Sequence, residues 1–87
     1  MENKNKLSDQ QMESVSGGII TKEEALDSAL AHVKLKKDQL EYLKKVELDF
    51  EHGKKVYEIT FFYNGFEYEF DIDAETGKVL EFDRDRD

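Results

Sequence analysis

The sequence predicts an α+β fold, in which an N-terminal helix (plus a short second helical turn) packs on one face of a four-stranded antiparallel meander sheet. Three observations support this fold class. In residues 56–73, VYEITFFYNGFEYEFDID, aromatic or isoleucine side chains alternate with mostly polar ones on both sides of Asn64-Gly65. Further alternating segments lie before and after them, and residues 19–33 carry apolar side chains at helical spacing.

The central hairpin sets the register of the predicted sheet. Asn64-Gly65 favours a two-residue type I′ turn, because both residues tolerate a positive φ. The aromatic and isoleucine side chains then share one face, in four cross-strand pairs: Tyr63 with Phe66, Phe61 with Tyr68, Ile59 with Phe70, and Tyr57 with Ile72. The other face receives Glu58 opposite Asp71, Thr60 opposite Glu69, and Phe62 opposite Glu67. The core is therefore expected on the aromatic side.

The predicted helix spans residues 19–33 and precedes the sheet. Thr21 and Glu24 have the spacing of a capping box at its start. Small and aliphatic side chains line one side of it: Ala25, Leu26, Ala29, Leu30 and Val33. Residues 35–40, LKKDQL, are expected to form the second short turn that leads the chain into the sheet.

The outer strands follow from the same alternation. Residues 42–51 form the first strand, and a turn at His52-Gly53 places Leu48 opposite Tyr57 and Val46 opposite Ile59, on the core face. The same register puts Leu43 beside Phe62 on the opposite face.

After the hairpin, Glu75-Thr76-Gly77 suits a three-residue loop with Gly77 in the left-handed conformation. This loop predicts Leu80 opposite Ile72 and Phe82 opposite Phe70. Residues 84–87 read as a charged tail.

Composition limits the function classes. The chain has 87 residues, enough for one small domain, and a formal net charge of −8, which argues against nucleic acid as a partner. It has no cysteine, so disulfides and zinc–thiolate sites are excluded. No apolar run is long enough to predict a membrane span, and the N-terminus lacks the apolar core of a secretory signal peptide.

Residues 1–18 differ from the rest: they are polar, lack aromatic residues and end in Gly17-Gly18. Ser8 and Gln11 have capping-box spacing, so a short helix could begin at Ser8 and place Leu7, Met12 and Val15 along one side. From periodicity alone, a frayed, solvated terminus is the simpler interpretation of this segment.

The arrangement of Leu7-Ser8, Met12, Val15 and Gly17-Gly18 resembles double-glycine leader peptides, the tags of bacteriocins and related exported peptides. It departs from that pattern at Gln11, where an acid is usual. The resemblance implies docking of Leu7, Met12 and Val15 on a peptidase-containing ABC transporter, and cleavage after Gly18. The precursor would then be cytoplasmic, and the product secreted or held at the cell surface.

Residues 19–83 resemble the PepSY domain family. The resemblance lies in IITKEEAL at 19–26, VELDFEHGKKVYEITF at 46–61 and, above all, FEYEFDIDAETGKVL at 66–80. It implies a helix packed on an antiparallel sheet. It also implies a bacterial extracellular or membrane-attached module that binds and restrains peptidases.

The residues support neither catalysis nor a metal or cofactor site. With two histidines, no cysteine and no serine in a nucleophile context, no catalytic residues can be assigned and no enzyme is predicted. Residues 71–77 resemble the start of a calcium loop, but an EF-hand needs glycine sixth and glutamate twelfth, where this chain has Thr76 and Phe82. A hairpin turn is the simpler interpretation.

The acidic face is the candidate partner-binding surface. Glu67, Glu69, Asp71 and Asp73 follow one side of the third strand, with Phe62 as an apolar anchor. A solvated face that keeps the domain soluble is the alternative. The sequence therefore predicts a non-catalytic binding module, exported after cleavage at Gly18, with a protein or peptide partner. An uncleaved structural or weak cation-binding module at the cell or its surface is the other hypothesis.

Overall fold

The computed structural model describes residues 18–86. Its elements are helix α1 (Lys22–Val33), a 3₁₀ turn (Lys37–Gln39) and strands β1 (Tyr42–Glu51), β2 (Lys54–Tyr63), β3 (Phe66–Asp73) and β4 (Val79–Arg86). The strands form one antiparallel sheet in the order β1-β2-β3-β4. No helix in this range is long and apolar enough to cross a membrane. The predicted leader positions Leu7, Met12, Val15 and Gly17 lie outside the described residues.

Local chemistry determines both ends of α1. The Thr21 hydroxyl accepts a hydrogen bond from the backbone N–H of Glu24 at 3.1 Å, and the Glu24 carboxylate accepts one from the N–H of Thr21 at 2.8 Å. This confirms the predicted capping box. The helix ends where Lys34 turns into the left-handed region at φ 61° and donates its N–H to the carbonyls of Ala31 and Leu30.

The central hairpin has the predicted register. Tyr63 lies opposite Phe66 and Ile59 opposite Phe70, and the turn residues have positive φ, 54° at Asn64 and 80° at Gly65. Six of the eight side chains predicted for the core face of this hairpin form the centre of the hydrophobic core with those of α1, whereas Tyr63 and Phe66 are partly buried and pack against it. We call this side of the sheet the helix face and the other side the outer face.

The predicted fold class needs correction, because α1 does not cover the helix face of the sheet. The described residues form a fold dominated by strands, and α1 meets the sheet through four buried side chains: Ala25, Leu26, Ala29 and Leu30. A twelve-residue helix is about 18 Å long, whereas a ten-residue strand extends about 33 Å. Leu48, expected in the core, is therefore 45% exposed, and Phe50 beside it is 67% exposed.

Two register shifts change the predicted outer strands. A shift between Leu43 and Lys45 places Leu43 opposite Phe61, so Tyr42 rather than Leu43 pairs with Phe62. A second shift places Val79 rather than Leu80 opposite Ile72. Each shift allows one extra residue into an outer strand, which alternation alone does not reveal. Phe82 lies opposite Phe70 as predicted, and pairing continues to Arg86, beyond the start of the predicted tail.

Gly77 has the left-handed conformation predicted for it, and replacing it should destabilise the fold. Its φ is +80°, and a Cβ would lie 3.3 Å from the Ser28 hydroxyl of α1. We expect Gly77→Ala to cost roughly 1–2 kcal/mol in urea unfolding, from backbone strain together with crowding of α1. Gly53→Ala is the matched control, because Gly53 has a similar φ of +77° but nothing within 4 Å of its Cβ. Equal costs would show that the contact with α1 is unimportant.

Candidate functional site

The outer face carries a row of four carboxylates that crosses the whole sheet. Consecutive strand pairings align Glu47 with Glu58, Glu58 with Asp71, and Asp71 with Glu81. Directly opposed like charges destabilise a sheet modestly. A row of this kind therefore costs stability, which a purely structural role does not explain.

Shallow depressions lie beside this row. One of about 390 Å³ lies between β3 and β4, and its acidic lining comprises Glu69, Asp71, Glu81 and Asp83. A second, of about 210 Å³, lies between β1 and β3 across β2, where the small and buried Thr60 makes room between Lys45 and Glu69. The outer face thus offers recesses with carboxylate walls, large enough for extended basic side chains.

Three lysines neutralise part of this charge. Lys45 Nζ lies 3.0 Å from Glu58 Oε1, Lys44 Nζ lies 3.7 Å from Glu67 Oε2, and Lys54 Nζ lies 3.2 Å from Asp73 Oδ2. Such half-exposed pairs contribute little to stability. They leave Glu69, Asp71 and Glu81 as acids without a lysine within 4 Å among residues 18–86.

Asp73 belongs to the turn after β3 rather than to the open surface. Its buried carboxylate accepts hydrogen bonds from the backbone N–H groups of Glu75 at 2.8 Å and Thr76 at 3.3 Å. The N–H of Glu75, and then the ammonium of Lys54, hold the pKa of Asp73 below its usual value. The calcium-like spacing of residues 71–77 thus belongs to a side-chain-capped turn.

The carboxyl groups of Glu51 and Glu58 lie within 4.8 Å of each other beside the row, on the side of the turn between β1 and β2. A hydrogen bond to Glu58, followed by the charge of Asp71, raises the pKa of Glu51 to about 7. The same hydrogen bond, together with Lys45, lowers the pKa of Glu58. Burial, and then the charge of Glu81, raises the pKa of Asp71. Lys45 stabilises the charged form of Glu58, so the pair favours protonation of Glu51 over Glu58.

The raised pKa of Glu51 predicts how the free energy of unfolding depends on pH. A raised pKa means that the folded chain binds the proton more tightly than the unfolded chain, so the stabilisation is present in acid and is lost as pH rises through about 7. The lowered pKa of Glu58 acts in the opposite direction, below the ordinary glutamate range. The melting temperature should therefore fall as pH rises from about 5.5 to 8.

Glu51→Gln should remove most of that dependence and raise the melting temperature at pH 8. Glu75→Gln is the control, since Glu75 is an exposed acid in the loop between β3 and β4. The histidines are unchanged in all three proteins, so the difference in slope reports Glu51. If the melting temperatures of the parent and Glu51→Gln fall equally with rising pH, the raised pKa of Glu51 is contradicted.

An aromatic pair lies at the other end of the outer face. The rings of Phe62 and Tyr42 stack with centroids 5.9 Å apart, and Lys44 Nζ lies 5.9 Å from the Phe62 centroid. Tyr42 is 60% exposed. Sequence reasoning identified Phe62 but missed Tyr42 and Lys44, because it did not detect the register shift that brings them there. An exposed tyrosine on an otherwise charged face is a typical interface residue.

Two groups of carboxylates could approach a cation. Ligand oxygens of Asp49, Glu51 and Glu58 lie within 4.8 Å of one another, as do those of Glu69, Asp83 and Asp85. All-carboxylate groups suit a hard cation such as Ca²⁺. Exposed clusters of this kind are also common without an ion.

The predicted processing residue Gly18 is exposed, with a φ of +70°, and a Cβ added to it would meet nothing within 4 Å.

Comparisons with known proteins establish the family. The family model of PepSY, described as the peptidase propeptide and YPEB domain, matches residues 19–83. The chain therefore belongs to the PepSY family, as its sequence motifs indicated.

A search of the curated proteins gave no match. Among solved structures, the chain is similar to a predicted lipoprotein from Clostridium difficile 630, with a TM-score of 0.62 and 26% identity. The match covers 79% of this chain but 41% of that protein, so the chain spans less than half of its relative.

Proposed function

We propose that this PepSY chain is a non-catalytic binding module that is exported after cleavage at Gly18 and binds or restrains a protein or peptide partner. The observation that carries this proposal is the carboxylate row of the outer face. Its acids have one sign, burial and the charge of Glu81 raise the pKa of Asp71 within it, and recesses lie beside it. A surface with such unfavourable repulsion gains most when a basic group approaches it.

The partner would bind between the row and the aromatic pair. Glu69 and Asp71 supply negative charge that no lysine of residues 18–86 neutralises within 4 Å, while Phe62 and Tyr42 supply apolar area at the end of the same face. Interfaces combine these elements as a buried anchor within a polar rim. Glu67, paired with Lys44, lies in the polar rim. Asp73 fixes the turn at the end of β3 by accepting a hydrogen bond from the N–H of Glu75.

A peptidase is the partner class that the family favours, because its description includes peptidase propeptides. A module that restrains a peptidase needs no catalytic groups of its own, only a surface complementary to the enzyme. The outer face provides such a surface for an enzyme that has basic residues around its cleft.

Location at or outside the cell surface agrees with both comparisons. The structural neighbour is described as a predicted lipoprotein, a class of protein that is held at the cell surface. For this chain we propose export through a peptidase-containing ABC transporter, guided by Leu7, Met12 and Val15. Mass spectrometry of the secreted chain tests this step. A product that begins at Ile19 supports it, and a secreted or retained chain that still carries residues 1–18 contradicts it.

Partner binding is tested with Phe62→Ala. Immobilised chain should capture a partner from the extracellular fraction of the producing organism, and Phe62→Ala should release it faster, since a buried aromatic anchor acts mainly on dissociation. Phe50→Ala is the matched control, because Phe50 is an exposed phenylalanine on the helix face. Equal dissociation from the two variants would exclude the aromatic pair as an anchor.

A second candidate is an uncleaved structural module that binds cations weakly. The close approach of Asp49, Glu51 and Glu58 favours it. Thermal melting with added CaCl₂ tests it against equal ionic strength of NaCl. A stabilisation specific to calcium, and lost in Asp49→Asn, would support this function over partner binding.

A further inference from the structure

Strand β4 is one of the two edge strands of the sheet, and it borders the acidic depression between β3 and β4 on the outer face. It pairs with β3 on one side and with no other strand of residues 18–86 on the other. From Glu81 to Arg86 its side chains alternate strictly. The register places Glu81, Asp83 and Asp85 on the outer face, and Phe82, Arg84 and Arg86 on the helix face. The two sides of this edge therefore carry opposite charges.

The two arginines are held in place on the helix face. The guanidinium carbon of Arg84 lies 5.0 Å from the ring centroid of Phe66, and that of Arg86 lies 6.0 Å from it. Cation–π contacts of this kind orient a guanidinium while leaving its N–H donors available. Among residues 18–86, no carboxylate lies within 4 Å of either guanidinium. Both arginines can thus accept an acidic partner.

A second copy of the chain fits this edge poorly. Two β4 strands related by a two-fold axis pair antiparallel and keep their faces on the same sides, so outer residues oppose outer residues. Within residues 81–86, every such register sets acids against acids and arginines against Arg or Phe82. Like charges opposite one another destabilise strand pairs. The alternation thus protects the edge against self-association, a common need of free strands.

We propose that β4 accepts an extended segment of the partner whose side chains alternate between basic and acidic residues. The segment adds a fifth strand through backbone hydrogen bonds. Its acidic side chains oppose Arg84 and Arg86, its basic side chains oppose Glu81, Asp83 and Asp85, and an apolar side chain opposes Phe82. This inference rests on the proposed function, in that the partner is a polypeptide, and adds both the edge and the sequence pattern that it selects.

Two hexapeptides of identical composition test the pattern. Glu-Lys-Glu-Lys-Val-Lys matches Arg86 to Glu81 in antiparallel order, whereas Lys-Lys-Lys-Val-Glu-Glu has the same net charge without alternation. In NMR titrations of the full chain, we expect the first to bind on the order of tenfold tighter, since several cross-strand charge pairs each add modestly. The shifted amides should lie in β4. Equal affinities, or shifts centred on β1, would overturn the proposal.

Variants separate the edge from net charge. Combined Arg84→Gln and Arg86→Gln should reduce binding of the alternating peptide to that of its control. Combined Lys22→Gln and Lys36→Gln removes the same charge from exposed positions elsewhere and should leave the tenfold preference unchanged. Melting curves verify that both variants fold. Self-association of the parent through β4, seen by light scattering, would also refute the proposal.

The outer-face function and the edge can fail independently. Phe62→Ala should leave binding of the alternating hexapeptide unchanged, because Phe62 lies on β2, two strands away from β4. If the hexapeptides do not discriminate while Phe62→Ala still releases the captured partner, the edge proposal is wrong and the outer-face function stands. If the hexapeptides do not discriminate and Phe62→Ala does not speed release of the captured partner, both the edge proposal and the outer-face function are wrong.

Discussion

Phe61→Ala should unfold most of the protein at room temperature or lower its melting temperature by roughly 15 °C or more. Phe61 is fully buried, and its ring packs 5.2 Å from Tyr68 and 5.5 Å from Phe70, measured between centroids. Removing a buried phenylalanine ring costs about 3–5 kcal/mol. A small domain has little more stability than that to lose. Urea unfolding followed by circular dichroism measures the loss.

The neighbouring residue supplies the control for this expectation. Phe62 points to the outer face, half-exposed and stacked on Tyr42. Its replacement by alanine should cost about 1 kcal/mol, because little of the ring is withdrawn from water. The two variants thus change the same residue type at consecutive positions. Similar losses for both would mean that the faces of β2 are wrongly assigned.

Much of the sheet was predictable because its determinants are local. Asn64-Gly65 sets one turn, and strict alternation then leaves a single register for β2 and β3 that buries the rings. The capping box at Thr21 likewise needs only residues four positions apart or fewer. In such segments, propensity, polarity and turn chemistry all favour the same structure.

What the sequence did not predict depends on contacts between elements. An inserted residue at Lys44 leaves the apolar pattern almost unchanged but moves Tyr42 onto Phe62, and another near Leu80 places Val79 opposite Ile72. The extent of helix cover depends on how α1 crosses the sheet, which its own periodicity does not encode. Leu48 was therefore assigned to the core although nearly half of it is exposed.

The candidate site was partly predictable for the same reasons. Alternation placed Glu67, Glu69, Asp71 and Asp73 on one face, and the register confirms that placement. It did not distinguish their environments: Asp73 caps a turn, Glu67 pairs with Lys44, and Asp71 lies in the carboxylate row between Glu58 and Glu81. The raised pKa of Glu51 requires its carboxyl to meet that of Glu58 across β1 and β2, which only the folded chain shows.

Neutralising the outer face should slow association with basic ligands at low salt by roughly tenfold or more. The change is Glu67→Gln, Glu69→Gln and Asp71→Asn together, which leaves the shape of each side chain nearly unchanged. Stability should stay the same or rise slightly, because repulsion within the row is relieved. Stopped-flow association with a dye-labelled octalysine peptide, and with the captured partner, measures the rate across salt concentrations.

The matched control removes three charges elsewhere: Asp27→Asn, Asp38→Asn and Glu75→Gln, all exposed and away from the row. Both triple variants have the same net charge, so a difference between them isolates the local potential of the outer face from the global field. We expect the control to keep most of the parent's rate and salt dependence. If the two variants slow association equally, the acids serve solubility alone, because any three negative charges would then be equivalent.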